Sequence, residues 1–145
     1  MRDDFDYNLA PFRENIDKIT AEHNIKVKHV FVEKYDPPLA YPQKNMIFYN
    51  DNYETSIDST FIEAHEIFHV LHKSKNQTIY AFSPLAKIDE EISAHLFALR
   101  LFFKSVDEEY VPNYISVMYA LGLPLSMEHL VQKIWLENLK SFNVI

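Results

Sequence analysis

Between Phe61 and Leu71 the chain reads F-I-E-A-H-E-I-F-H-V-L, with neither glycine nor proline to interrupt a helix. Phe61, Ala64, Phe68 and Leu71 form one apolar stripe at helical spacing, while Ile67 and Val70 point nearly the opposite way. A helix apolar on most sides belongs in an interior, so this segment dictates that the rest of the chain wraps around it. Yet His65, Glu66 and His69 lie in the same run, as H-E-x-x-H. Residues four apart sit about one turn apart on one helix face, so both imidazoles can reach one ion. Glu66 is turned about 100° from His65, beside such an ion rather than on it. Two neutral imidazoles with an adjacent carboxylate suit Zn²⁺ and an activated water, which makes hydrolysis the first hypothesis. Chance alone would write the pattern in roughly 3 of 100 chains of this composition, so it needs structural support.

That support comes from a second helix, expected over Lys87–Lys104. On a helical wheel Ile88, Ala94, Ala98, Leu99, Leu101 and Phe102 share one arc, and Asp89, Ser93, Arg100 and Lys104 the other. Glu91 and His95 fall inside the apolar arc, one turn apart. A carboxylate there requires a partner, because an unpaired buried charge is heavily penalised. A bridge from Lys87, four residues earlier, is the weaker orientation and is worth only tenths of a kcal/mol. Glu91 is therefore the expected third zinc ligand. His95 is expected to orient a ligand by hydrogen bond, with direct ligation in place of Glu91 as the alternative. His72 shares the face of His65 and His69 but stands about 10 Å along the axis from His65, too far for one tetrahedral ion. It reads as a packed residue or one that supports a ligand. Tyr80 and His95 are both candidates to donate a hydrogen bond to a developing oxyanion. Glu90 reads as solvated, and His23, His29 and His129 as ordinary residues.

Elsewhere the pattern predicts a helix from Leu9 to about Asn24 and a strand over Ile25–Glu33. A loop follows through Asp36-Pro37-Pro38 and Tyr41-Pro42, then a second strand over Asn45–Tyr49. Asn45–Tyr49 could be a sheet edge that holds substrate by backbone pairing, or an inner strand. Tyr53–Thr55 could add a few paired residues. The motif helix should run from Ser56 to about Lys73, with Ser56 or Asp58 as N-cap, and Lys73–Pro84 should be a polar linker. Two further helices, about Glu108–Leu121 and Ser126–Lys140, are separated by Gly122. The fold class is α+β. A small antiparallel sheet of about three strands packs on an N-terminal helix and the two site helices, with a helical C-terminal extension. One domain is expected over residues 1–145, divided into a core at 1–105 and the extension at 106–145.

At 145 residues and 48% hydrophobic composition the chain can bury a real core. It has no cysteine, which excludes a disulfide framework and thiolate-bound zinc. The start, Met1-Arg2-Asp3-Asp4, does not read as a secretory signal, and no apolar run reaches membrane-span length. These features point to an intracellular protein. A net charge of -7 argues against direct nucleic-acid binding, although the last two helices could be read as helix-turn-helix. The single glycine leaves no phosphate-binding loop. Oligomeric state is open.

His65-Glu66-Ile67-Phe68-His69, followed by Glu91-Ile92-Ser93-Ala94-His95-Leu96-Phe97-Ala98, resembles the paired motifs of the ImmA/IrrE family of zinc metallo-endopeptidases. In that family the first Glu of the second motif is the third ligand, a role that falls here on Glu91. The resemblance spans roughly Leu9–Lys104. His95 stands where the family usually has Asn, Phe68 where Gly is common, and the usual Leu-Met-Pro ending is absent from Leu101–Val106. The resemblance implies a zincin-like domain and a cytoplasmic protease, often carried by mobile elements or phage, that cleaves a DNA-binding transcriptional repressor. The alternative is a catalytically silent zinc-binding module of the same fold that acts through protein contacts.

Overall fold

The computed structural model describes residues 8–72, 80–81 and 88–141, with 80, 81 and 88 described by their backbone. Helix α1, Ala10–Glu22, opens on Pro11 at a position where no intrahelical N–H bond is needed. It leads into β1, Lys26–Val30, through Asn24 in the left-handed region. After a loop come β2, Leu39–Tyr41, a 3₁₀ turn at Pro42–Lys44, and β3, Met46–Asn50. Helix α2, Ser59–Leu71, carries the His-Glu motif. Strand β4, Tyr80–Ala81, and helix α3, Ile88–Lys104, follow. Helices α4, Tyr114–Leu121, and α5, Glu128–Ser141, complete the described chain, with a 3₁₀ turn at Leu125–Met127 between them. The mixture of helices with one small sheet is the α+β class read from the sequence.

The sheet departs from the expectation in strand number and direction. It has four strands in the order β1-β3-β2-β4, and β1 pairs with β3 in parallel, Val27 beside Ile47 and His29 beside Tyr49. Residues 31–45 supply the length that a parallel return requires. Strand β2 lies antiparallel to β3 and to β4. β2 falls where only a loop was expected. Its prolines flank the three paired residues and leave their N–H groups free to pair. Asn45, left-handed at φ 55°, closes the β2–β3 turn and donates its amide to the carbonyls of His23 and Asn24 at 2.8 and 2.7 Å. β3 is thus an inner strand, and the edge alternative for Asn45–Tyr49 is set aside. Residues 53–55 form no strand. Beyond β3, the buried Asn50 ties down the surrounding loops. Its amide donates to the carbonyls of Glu33 and Asp36 at 2.7 and 2.8 Å, while its Oδ1 accepts from the Asn52 backbone N–H.

α2 packs on the sheet, with Ala40 and Ile47 buried beneath it, and α1 and α3 pack against α2 and against each other. The core runs on without a break into the C-terminal helices. Phe12, Phe61, Leu99 and Phe102 share one cluster with Val117, Leu121, Val131 and Ile134. Phe12 and Phe102 meet edge to face at 5.5 Å. Trp135 packs on Tyr114 and donates its indole N–H to the Pro112 carbonyl at 3.0 Å, which fixes α5 against the segment before α4. The expected helix start near Glu108 moves to Tyr114, because Pro112 and the cap at Asn113 set the boundary there. No helix among the described residues is long and apolar enough to cross a membrane.

Candidate metal centre

Asp58 starts α2. Its carboxylate accepts from the backbone N–H groups of Thr60 and Phe61 at 2.8 and 3.3 Å, satisfying donors the first turn leaves over. From Thr60 to Ile67 every residue is buried, as the apolar pattern requires, and this encloses three acids and imidazoles together. Glu63 is neutralised from α1 by Arg13 at 2.7 Å. His65 and His69 turn instead toward α3, with ring centroids 5.0 Å apart and planes at 79°.

There they meet Glu91. His65 Nε2 lies 3.0 Å from Glu91 Oε1, and His69 Nε2 lies 2.9 Å from Glu91 Oε2. The two imidazoles are 1% and 2% exposed, the Glu91 side chain 17%. One ligand atom from each of the three residues falls within 4.8 Å of the others, a group that could hold a metal ion. Ligands about 2.0–2.2 Å from a tetrahedral ion stand about 3.3 Å apart, so the spacing is of the right order. The donor set of two nitrogens and one carboxylate is also one that first-row divalent ions accept.

The electrostatics follow from enclosure. Burial would lower the His65 pKa, but its hydrogen bonds to Glu66 and Glu91 prevail and push it up to about 9. Burial would raise Glu91, yet the bonds from His65 and His69 hold it down at about 2. His95 goes the other way, down to about 4, through burial and the neighbouring His65 charge. A carboxylate is thus kept ionised between two imidazoles, ready for a cation.

Glu66 is 1% exposed and lies outside this group of three. Its Oε2 is 3.1 Å from His65 Nδ1, while its Oε1 has no hydrogen-bond partner among the described residues. Donation of Nδ1–H to Glu66 leaves Nε2, which faces Glu91, as the nitrogen that can exchange its proton for a cation. Sequence periodicity places Glu66 beside the site but does not reveal this bond to its own neighbour.

The remaining candidates separate. His95 stacks between Phe61, at 6.3 Å, and His65, at 4.7 Å, against the ligands but outside the group of three. His72 caps the end of α2, exposed, with Nδ1 donating to the Phe68 carbonyl at 3.1 Å and its ring on Phe68 at 4.0 Å. Tyr80 lies on β4 opposite Ala40, and its side chain lies outside the described residues. The same holds for Lys87, the linker residues 73–79 and Phe82. Glu90 is half-buried rather than fully solvated. His29 pairs with Asp51 at 2.8 Å, on the surface.

A feature not anticipated is what adjoins His95. The segment Pro124–Met127, well beyond the motifs, folds back so that a cavity of about 270 Å³ lies between it, residues 53–57, Ile62 and His95. Gly122, the cap of α4 at φ 65°, stands at this fold-back, its carbonyl accepting from Ser56 Oγ at 3.0 Å, a contact the sequence does not reveal. Neither a family model nor a curated protein nor a solved structure matches this chain.

Proposed function

We propose that this chain is a zinc-dependent endopeptidase with a zincin-like domain, using Glu66 as general base. The observation that carries the reading is the convergence of His65 Nε2, His69 Nε2 and the Glu91 carboxylate beside Glu66, whose Oε2 meets His65 Nδ1 at 3.1 Å. His65, His69 and Glu91 would hold the ion. Zn²⁺ so bound supplies a Lewis acid that lowers the pKa of a water and polarises the scissile carbonyl. Glu66 Oε1 receives the water's proton and returns it to the leaving amine, while Oε2 keeps His65 oriented. The near-complete burial of Glu66, His65 and His69 strengthens the electrostatic interactions among them. His95 and Tyr80 remain the candidates for the oxyanion donor. The similarity to ImmA/IrrE peptidases makes a regulatory protein, such as a DNA-binding repressor in the cytoplasm, the substrate to try first.

Metal analysis of the purified chain tests the site. The expected result is zinc near one per chain, lost in His65→Ala, His69→Ala and Glu91→Ala. Glu66→Gln should keep the metal and lose repressor cleavage by about 10²- to 10⁴-fold. Zinc retained in all three ligand variants would overturn the site. Cleavage absent from wild type and Glu66→Gln alike, with zinc bound, would leave the silent interaction module.

A further inference from the structure

The cavity beside His95 has a composition and a position that assign it a task. It is bounded by Ile57 and Ile62 of the segment entering α2, Met127 from the C-terminal region, Tyr53, Ser126 and His95. Ile62 and Met127 are 1% and 6% exposed, so the floor is apolar and fixed. Among the described residues no Asp, Glu, Lys or Arg lines it. The inner wall is the His95 ring, 4.7 Å from the ring of His65. His95 thus borders both His65 and the cavity, which puts the cavity within side-chain reach of a chain held at the metal group. At about 270 Å³ the space falls below the roughly 300–1,000 Å³ of a pocket for a whole small-molecule ligand but is ample for one side chain.

We propose that this cavity receives the side chain next to the cleaved bond, and that it selects a medium-sized uncharged residue such as Leu or Met. The inference rests on the peptidase reading. It gives the C-terminal region a direct part in specificity, since Met127 and Ser126 build one side of the pocket. A charged side chain would enter with no opposite charge to meet it, at a desolvation cost that an apolar one avoids. Glycine would leave the floor without the burial that favours leucine.

Hydroxamates, which ligate zinc directly, separate this proposal from the one beneath it. Binding of the N-acetyl hydroxamates of glycine, leucine and aspartate to the zinc-loaded full chain is measured by calorimetry. The leucine compound should bind about 10- to 100-fold more tightly than the glycine compound. Ser126→Arg should reverse the order of leucine and aspartate. Ser126 is exposed, so the substitution can be accommodated, and Thr55→Arg on the neighbouring wall repeats the test. Equal binding of glycine and leucine compounds would overturn the pocket and leave the metal site standing. Preference for aspartate in the wild type would overturn it too. Such a result would assign the side chain to the cavity of about 420 Å³ that carries Arg100 and Lys104. Failure of all three compounds to bind would overturn the peptidase reading, and this proposal with it.

Discussion

Two glutamates enclosed by the same helices are neutralised in different ways, and the difference marks the site. Glu63 is met by Arg13, a permanent cation that also pairs with Asp17, which is a structural arrangement. Glu91 is met by two imidazoles, which can release a proton and accept a metal in its place. Without metal the pairing leaves a signature in stability. Folding raises His65 from about 6.5 to about 9, so its contribution is fully present below pH 6.5 and is lost as pH climbs toward 9. Glu91, depressed to about 2, contributes above pH 4.5 and loses that contribution only in acid, so it does not offset the loss at high pH. Urea midpoints of the chelated protein should therefore fall from pH 6.5 to pH 9, and bound zinc should remove the fall. A flat profile with chelator present would mean that His65 does not share a proton with these carboxylates. The grouping of His65, His69 and Glu91 was legible in the sequence because helical spacing fixes which side chains share a face. The His65–Glu66 bond was not, since neighbours in sequence diverge by about 100° and only the rotamers chosen inside the core bring them together.

Helices announced themselves more clearly than strands. α2 and α3 were readable because an apolar helix with embedded acids and imidazoles has few arrangements that satisfy it. β2 was hidden by Pro37, Pro38 and Pro42, which signal a loop wherever they stand, and by its length of three residues. The parallel pairing of β1 with β3 was beyond the sequence, for alternation gives the faces of a strand but not its neighbours. Of the two N-caps left open for α2, the structure selects Asp58, and the choice has a measurable weight. Asp58→Ala removes the acceptor for Thr60 and Phe61 and should cost about 1 kcal/mol in chemical denaturation. Ser56→Ala should cost less, about 0.5 kcal/mol, through its single exposed bond to the Gly122 carbonyl. A larger loss at Ser56 than at Asp58 would place the helix start two residues earlier. Zinc stoichiometry should be the same in both, since neither residue is near the ligands.

Across the whole molecule the C-terminal helices are not an appendage to the motif helices, because one hydrophobic cluster spans both. The join is made at Gly122. Asp58 N–H donates to the Leu121 carbonyl at 2.9 Å, and the chain passes so close that a Cβ on Gly122 would stand 1.8 Å from the Ser56 carbonyl oxygen. Glycine is required there twice over, by the positive φ and by this contact with backbone that cannot rotate away. Sequence alone suggested the first reason, a helix cap, and could not supply the second, which depends on a partner 66 residues away. Gly122→Ala should therefore lower stability by more than the roughly 1–2 kcal/mol of a left-handed alanine. The excess reports how firmly the extension is seated. Because Met127 follows five residues later, the same substitution should weaken the leucine-over-glycine preference of the pocket while His65, His69 and Glu91 stay in place on α2 and α3. Urea denaturation and hydroxamate calorimetry on one preparation read both effects. A variant as stable as wild type, with the preference intact, would mean that the Ser56–Gly122 approach does not hold the extension against the site.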